Sequence, residues 1–244
     1  MNLSRSCSTA GRVLRQLSHD PRSIALLLLM PSLLVGLFAW LFDAQPGAFS
    51  RLGGPMLALF PFILMFIITS VTTLRERRSG TLERLMTTPL GKGDFIVGYA
   101  LAFGLAATVQ AVITVGFAVI VCGLEVSGPL WQLGLVAVLD ALLGTGLGLL
   151  ASAFARTEFQ AVQFMPVLVF PQILLGGLLM PRDQMPDALH TISDWLPLSY
   201  AIDAVNAVTR GDEGWDLGRP LIVIAAVTLV ALGLAALTLR RRTP

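Results

Sequence analysis

Six apolar segments, each long enough to cross a lipid bilayer as a helix, constrain the fold of this 244-residue chain most strongly. A helix crosses the hydrocarbon core with about 20 residues. The chain is 55% hydrophobic and 13% charged, whereas soluble domains carry about 25% charged residues. The sequence therefore predicts an all-α integral membrane protein, with a single membrane domain over residues 1–244. Its six spans are expected at about residues 24–42, 55–74, 95–124, 130–154, 159–180 and 220–239.

The basic residues are distributed unevenly between the connections. Thirteen of the 17 Lys and Arg residues lie before the first span, after the sixth, or in the second and fourth connections. The positive-inside rule places this side in the cytoplasm, so both termini are predicted to be cytoplasmic and the protein to lie in the inner (plasma) membrane. The first apolar run, from Ile24, is too long for a signal peptide and is expected to be retained. The net charge of +2 is explained by topology and gives no indication of nucleic-acid binding.

Amphipathic segments precede the first and the last spans. At about residues 8–20, apolar side chains recur at helical spacing opposite arginines, which predicts a helix in the cytoplasmic membrane interface. Between Pro181 and Pro220, two apolar stripes separated by Pro197 predict two short helices that lie on the outer leaflet or re-enter it. A solvated tail and a plain external loop are the respective alternatives.

A dense charged segment, residues 75–90, separates the second and third spans. Gly80 at the N-cap and Glu83 three residues later predict the start of a helix of about two turns. Its single apolar stripe consists of Leu82, Leu85 and Met86. Isolated helices shorter than about 12 residues are marginal in water, so this helix needs a partner. A merely solvated topology signal would explain the arginines of the segment, but it leaves the acidic residues and the apolar stripe without a reason.

Sequence motifs for catalysis are missing. No G-x-x-x-x-G-K-[ST] phosphate loop occurs, and no serine lies in a G-x-S-x-G motif. His19 and His190 are predicted on opposite sides of the membrane, and the two cysteines, Cys7 and Cys122, belong to no group with metal-ligand spacing. The chain is therefore expected to be no enzyme, to bind no metal or cofactor itself, and to depend on energy from elsewhere.

Four polar residues within the spans are candidates for a pathway or a helix interface: Gln110, Asp140, Gln163 and Gln172. Asp140 shares a helix face with Gly144 and Gly148, a small-residue stripe that allows close helix packing away from lipid. A charge at the bilayer centre costs about 2.5–3.5 kcal/mol on insertion scales. Asp140 is therefore either a functional residue or a carboxylic acid that is packed at a helix interface, and the glutamines have the same two interpretations.

Several segments in order along the chain resemble one transporter family. They are Glu76 with Ser79-Gly-Thr-Leu-Glu-Arg-Leu85 and Thr88-Pro89, then Gly176-Gly177, Pro181 through Pro186, and Leu196-Pro-Leu-Ser-Tyr200. Over nearly its whole length, the chain resembles the permease subunits of type II ATP-binding-cassette (ABC) exporters. This family includes daunorubicin-resistance and nodulation-type export permeases.

The resemblance implies an exporter of an amphipathic small molecule, drug, lipid or glycan. It implies a coupling helix that docks on a separate ABC ATPase, present in two copies with its ATP and Mg²⁺, and a second permease that is identical or homologous. The implied docking residues are Glu76, Arg77, Arg78, Leu82, Glu83, Arg84, Leu85 and Met86. Two functions of other classes stay open: a proton-coupled secondary transporter that uses Asp140, and a membrane scaffold that transports nothing.

Overall fold

The computed structural model describes residues 3–45, 47–79, 91–212 and 214–238. These residues are almost entirely helical and include no strand, which confirms the predicted all-α class. The helices are α1 (Leu3–Ser18), α2 (Pro21–Leu41), α3 (Ala48–Arg78), α4 (Lys92–Ile120), α5 (Leu130–Phe154), α6 (Glu158–Leu175), a 3-10 turn (Arg182–Gln184), α7 (Asp187–Ser193), α8 (Pro197–Arg210) and α9 (Trp215–Thr238).

Six of the described helices, α2 to α6 and α9, are long and apolar enough to cross a membrane, which confirms the prediction of six spans. The helices differ from the apolar runs mainly at their ends. Helix α3 begins at Ala48, before the expected residue 55, and continues to Arg78. Helix α6 ends at Leu175, before the expected residue 180, and Gly177 adopts a left-handed conformation (φ 91°) that an L side chain rarely accepts. Hydropathy marks the lipid-buried part of a helix, whereas backbone geometry decides where the helix ends.

The start of α2 shows how local sequence sets a boundary. Asp20 is the N-cap, and its carboxylate accepts hydrogen bonds from the backbone N–H of Ser23 at 3.2 Å and from the Ser23 hydroxyl at 2.6 Å. Pro21 occupies the first helical position, where its missing N–H costs nothing. The hydrogen bonds from Ser23 lower the pKa of Asp20 below its ordinary value, because they favour the charged carboxylate.

Helices α3 and α5 form the centre of the bundle and are the most buried spans. They approach closely where α5 has glycines: a Cβ atom on Gly144 would lie 2.5 Å from the carbonyl oxygen of Phe62, and one on Gly148 would lie 2.5 Å from that of Phe66. A larger residue at either position would push the two helices apart. The small-residue stripe on α5 is thus a packing surface, and Asp140 on the same stripe is fully buried.

The short helices between α6 and α9 differ in their exposure. The stripe of α8, from Leu198 to Val208, is buried against the bundle. In contrast, Leu189 and Ile192 on α7 are 40% and 49% exposed, and Trp195 after it is 84% exposed. Both helices exist as predicted. Their re-entry into the membrane, and the interfacial position of α1, stay predictions.

Candidate functional site

The candidate site lies where α3 ends, beside the charged segment that the sequence singles out. Three of the predicted docking residues, Glu76, Arg77 and Arg78, lie in the last turn of α3. The remaining ones lie outside the described residues, as does the predicted coupling helix itself: Leu82, Glu83, Arg84, Leu85 and Met86. The structure describes the helices on either side of this segment, α3 before it and α4 after it.

Glu76 is held by an arginine of the N-terminal helix. Arg12 on α1 donates to both carboxylate oxygens of Glu76, from Nη1 to Oε1 at 2.9 Å and from Nη2 to Oε2 at 3.3 Å. The side chain of Glu76 is 4% exposed and that of Arg12 is 31% exposed. Two parallel bonds of this kind are the strongest arrangement that these side chains form. Glu76 therefore pairs with α1 in this conformation, and its predicted docking role stays a prediction.

Tyr99 on α4 completes the group. Arg12 Nη2 also donates to the Tyr99 hydroxyl oxygen at 3.2 Å, and the buried Tyr99 ring packs on Phe95 with 4.3 Å between ring centroids. Helix α1 reaches this position because α4 has a glycine there: a Cβ atom on Gly98 would lie 2.6 Å from Cβ of Thr9. Arg12, Glu76 and Tyr99 form what we call the inner cluster, a name that follows the predicted orientation.

The inner cluster joins both sides of the undescribed segment 80–90. Glu76 belongs to the helix that precedes it, and Tyr99 belongs to the helix that follows it. The same end of α3 is tied to α6, because Arg75 forms a bidentate pair with Glu158, from Nη2 to Oε2 at 2.8 Å and from Nε to Oε1 at 2.9 Å. A displacement of segment 80–90 would therefore act on α1, α3, α4 and α6 together.

Arg77, in the same turn, has a partly buried side chain. Two of its guanidinium nitrogens, Nε and Nη2, are buried and make no hydrogen bond in the part of the chain that the structure describes. A buried polar group without a partner costs free energy, so it is typical of a place where another group binds or the conformation changes. Arg78, one residue on, is exposed.

Sequence reasoning missed two members of the inner cluster, Arg12 and Tyr99. The amphipathic pattern of residues 8–20 places Arg12 on the polar face of an interfacial helix, where arginines normally contact lipid headgroups. The sequence nevertheless contains one indication of this ion pair. Glu76 is an acidic residue at the end of an apolar span among arginines, and a buried carboxylate needs a basic partner from another segment.

The structure separates the four polar residues of the spans. Gln110 on α4 donates from Nε2 to the carbonyl oxygen of Leu27 at 2.9 Å, and Gln172 on α6 accepts the backbone N–H of Leu198 at 3.0 Å. Gln163 is exposed on α6. Asp140 is fully buried, and neither of its carboxylate oxygens has a hydrogen-bond partner among the described residues. Two of the glutamines thus join helices, whereas Asp140 has no hydrogen-bond partner among the described residues.

A second charged group lies at the opposite end of the bundle, beside a cavity of about 1000 Å³. There Arg182 in the 3-10 turn pairs with Asp194, after α7, and with Asp203 on α8. The Arg182 guanidinium lies 5.3 Å from the ring centroid of Tyr200, within the range of a cation–π interaction. We call Arg182, Asp194, Asp203 and Tyr200 the outer cluster. Burial raises the pKa of Asp203 above its ordinary value, against the lowering effect of Arg182.

Comparison with known proteins identifies the family. Residues 7–209 match the model of the ABC-2 type transporter family, which covers most of the chain. The chain belongs to the ABC-2 type transporter family. This agrees with the resemblance that the sequence motifs indicate, and it makes the chain a multi-pass membrane protein.

The similar proteins carry names of membrane permeases. The chain is 30% identical over 191 residues to the probable multidrug ABC transporter permease YbhR of Escherichia coli (strain K12), covering 77% of this chain and 51% of that protein. It is 26% identical over 180 residues to the inner membrane transport permease YhhJ of the same organism, covering 72% and 46%. Nodulation protein J of Rhizobium leguminosarum bv. trifolii is 27% identical over 165 residues, covering 66% and 62%. The chain therefore spans about half the length of the first two relatives.

Proposed function

We propose that this chain is the membrane-spanning permease subunit of an ABC exporter, driven by ATP that a separate ATPase subunit hydrolyses. Membership of the ABC-2 type transporter family, the permease names of the relatives and the six apolar helices support the proposal. The single observation that carries the coupling role is the inner cluster. It ties both helices that flank segment 80–90 to α1.

In this proposal the ATPase docks on residues 76–86, with Leu82, Leu85 and Met86 as apolar anchors. Arg77, Arg78, Glu83 and Arg84 form the charged surroundings of the anchors. Glu76 has a different part in the proposal: it holds α3 to α1 through Arg12, so that a movement of the docked segment reaches the bundle. Coupling requires that the ATPase contacts this segment differently in its open and closed states, since only a state-dependent interaction shifts a conformational equilibrium.

The remaining parts of the proposal follow from the family and the charge pattern. The ATP and Mg²⁺ belong to the ATPase, which is present in two copies, and a second permease, identical or homologous, completes the membrane part. Both termini face the cytoplasm in the plasma membrane, because 13 of 17 basic residues lie on that side. The cargo is an amphipathic small molecule, drug, lipid or glycan. The multidrug name of one relative favours the drug class.

The proposal is tested by reconstituting the chain in vesicles with the ATPase that co-purifies with it. Leu85→Asp is expected to abolish both ATP-driven transport and the recovery of the ATPase, and Glu83→Ala is expected to uncouple hydrolysis from transport. Leu189→Asp and Glu125→Ala make the same changes on the opposite side of the membrane, at exposed positions, and serve as matched controls. Full transport by the Leu85→Asp variant, or transport by the chain with no ATPase present, would overturn the proposal.

Asp140 favours one competing function, proton-coupled secondary transport. It is an ionisable group on a central helix, and the described residues leave both of its oxygens without a hydrogen bond. In that case Asp140→Asn would stop transport, and a collapse of the proton gradient would do the same in the parent. Under our proposal, transport in the presence of ATP survives the collapse of the gradient.

A further inference from the structure

Helices α5 and α9 pack on each other and leave a cavity beside the C-terminal ends of both. At Gly146, an added Cβ atom would lie 3.4 Å from both the carbonyl oxygen of Thr228 and Cβ of Ala231. Beyond this contact, towards the C-terminal ends of both helices, a cavity of about 500 Å³ lies between them. It is lined by Leu150, Ala153, Phe154, Leu234, Leu237 and Thr238. We call this cavity the α5–α9 cleft.

The cleft is open to the side of the bundle. Phe154, Leu234 and Leu237 on its walls are 62%, 46% and 78% exposed. In a membrane this opening faces hydrocarbon, because the cleft lies beside the last turns of two spanning helices. A hydrocarbon chain gains dispersion contacts with apolar walls of this kind, whereas water gains no hydrogen bonds from them. The physical occupant of this cleft is therefore an apolar chain from the bilayer.

A basic residue follows α5 directly beyond the cleft. Arg156 follows Phe154 by two residues, directly after the end of α5, and is exposed. Its backbone N–H donates to the Gln160 side chain at 2.8 Å, but its guanidinium makes no hydrogen bond or ion pair with any described residue. The acidic residue nearest in the sequence, Glu158, is already paired with Arg75. Arg156 is thus a guanidinium without a partner among the described residues, two residues beyond the cleft, and guanidinium groups bind phosphate with two parallel hydrogen bonds.

We propose that the α5–α9 cleft binds one acyl chain of an anionic phospholipid, whose phosphate contacts Arg156. The apolar walls accept the chain, and Arg156 selects the charge of the headgroup. The site lies in the leaflet at the inner end of the bundle and is separate from the inner cluster. It does not depend on the ATPase or on the identity of the cargo.

Native mass spectrometry of the chain, released from nanodiscs that contain phosphatidylglycerol and phosphatidylcholine in equal amounts, tests both halves of the proposal. The parent is expected to retain phosphatidylglycerol in preference to phosphatidylcholine.

Ala153→Trp, which fills the cleft, is expected to lower the retained fraction by about tenfold, an effect that corresponds to the loss of about two buried methylene groups. Leu234→Trp fills the cleft from the opposite wall and is expected to lower the retained fraction similarly. The same loss in both variants could not be explained by misfolding of only one of them. Val230→Trp, at an exposed position of α9 outside the cleft, is the matched control and is expected to retain lipid as the parent does.

The headgroup is tested separately. Arg156→Gln is expected to retain lipid but to lose the preference for phosphatidylglycerol, whereas Arg22→Gln, an exposed arginine at the same end, is expected to keep it. Parental lipid retention by both tryptophan variants would overturn the proposal, as would an equal preference in Arg156→Gln and Arg22→Gln. If the tryptophan variants instead change the oligomeric state with lipid retention unchanged, a second copy of the chain occupies the cleft and the proposal is wrong.

Discussion

The two ends of the bundle each use one arginine to join several helices, but they bury opposite charges. In the inner cluster the carboxylate is buried: the Glu76 side chain is 4% exposed, against 31% for Arg12. In the outer cluster the guanidinium is buried: the Arg182 side chain is 12% exposed, against 40% for Asp194 and 38% for Asp203. The inner cluster has a single acid for its arginine, whereas the outer cluster has two.

This difference predicts how each end tolerates the loss of a partner. A buried charge that loses its partner keeps the cost of desolvation without the compensating attraction, whereas an exposed charge returns to water. Loss of Arg12 leaves a buried carboxylate, while loss of Arg182 leaves two carboxylates that water reaches. The inner end should therefore tolerate the loss of a partner less well than the outer end. This agrees with the proposal that the ATPase acts on the permease at its inner end.

Arg12→Leu is expected to have the largest effect. It leaves Glu76 buried without a partner, at a cost of about 3 kcal/mol, at the lower end of the range for broken buried pairs because Arg12 itself is partly exposed. The thermal midpoint of the solubilised protein should fall, and hydrogen exchange of residues 3–18 should accelerate, since α1 loses its bond to α3.

The double variant Arg12→Leu/Glu76→Leu provides the control. Replacing both partners removes the buried charge, so most of the stability should return even though the ion pair is absent. If the double variant is no more stable than Arg12→Leu alone, the burial of Glu76 does not account for the effect, and the contrast between the two ends fails.

Gly98→Ala tests the helix contact that brings Arg12 to Glu76. The new methyl group would lie 2.6 Å from Cβ of Thr9 and 2.9 Å from the carbonyl oxygen of Ser6, so α1 has to move away from α4. We expect a loss of about 1–2 kcal/mol, as for other overpacked contacts. Gly11→Ala on α1 has open space around it and should instead stabilise the helix by about 0.5–1 kcal/mol. Thermal midpoints of the two variants that shift in the same direction would contradict the close packing of α1 on α4.

The fold could be predicted from the sequence because the membrane imposes it on local patterns. Apolar length alone identified six spans, and residues 130–154 match α5 at both ends, because a spanning helix needs nothing beyond a continuous apolar run. The glycine stripe on α5 was visible for a related reason, since close packing in a membrane requires small residues at helical spacing.

The inner cluster could not be predicted, because it joins residues that are far apart in sequence. Arg12 and Glu76 are separated by 64 positions and Arg12 and Tyr99 by 87. Their helical periodicities say which face each residue occupies, but they say nothing of which helix covers that face. The ends of α3 and α6 differ from the prediction because the apolar runs stop at Leu74 and Met180, whereas the helices end at Arg78 and Leu175, where the backbone leaves helical geometry.

At the outer end, Arg182→Gln should cost about 1 kcal/mol, less than the change at Arg12. It removes both ion pairs and the cation–π interaction with Tyr200, but it leaves two carboxylates that are partly exposed to water. Asp194→Asn should cost roughly 0.3 kcal/mol, because Arg182 keeps its pair with Asp203. Chemical unfolding of the two variants, compared with Arg12→Leu, measures the order. A larger loss for Arg182→Gln than for Arg12→Leu would reverse the roles of the two ends.

The smallest effect is expected for Asp203→Asn, and its sign depends on pH. The Asp203 side chain is only partly exposed, and the desolvation of its buried part raises its pKa above the ordinary value, so the folded state favours the protonated acid. The stability from this group is then fully present below the ordinary pKa of about 3.9, and it is lost as the pH rises through the raised value. Asn does not titrate. The thermal midpoint of the variant should therefore rise relative to that of the parent as the pH goes from about 3 to about 7. If the parent gains on the variant over that range instead, attraction by Arg182 outweighs burial. The outer cluster would then depend on its ion pairs as strongly as the inner one does.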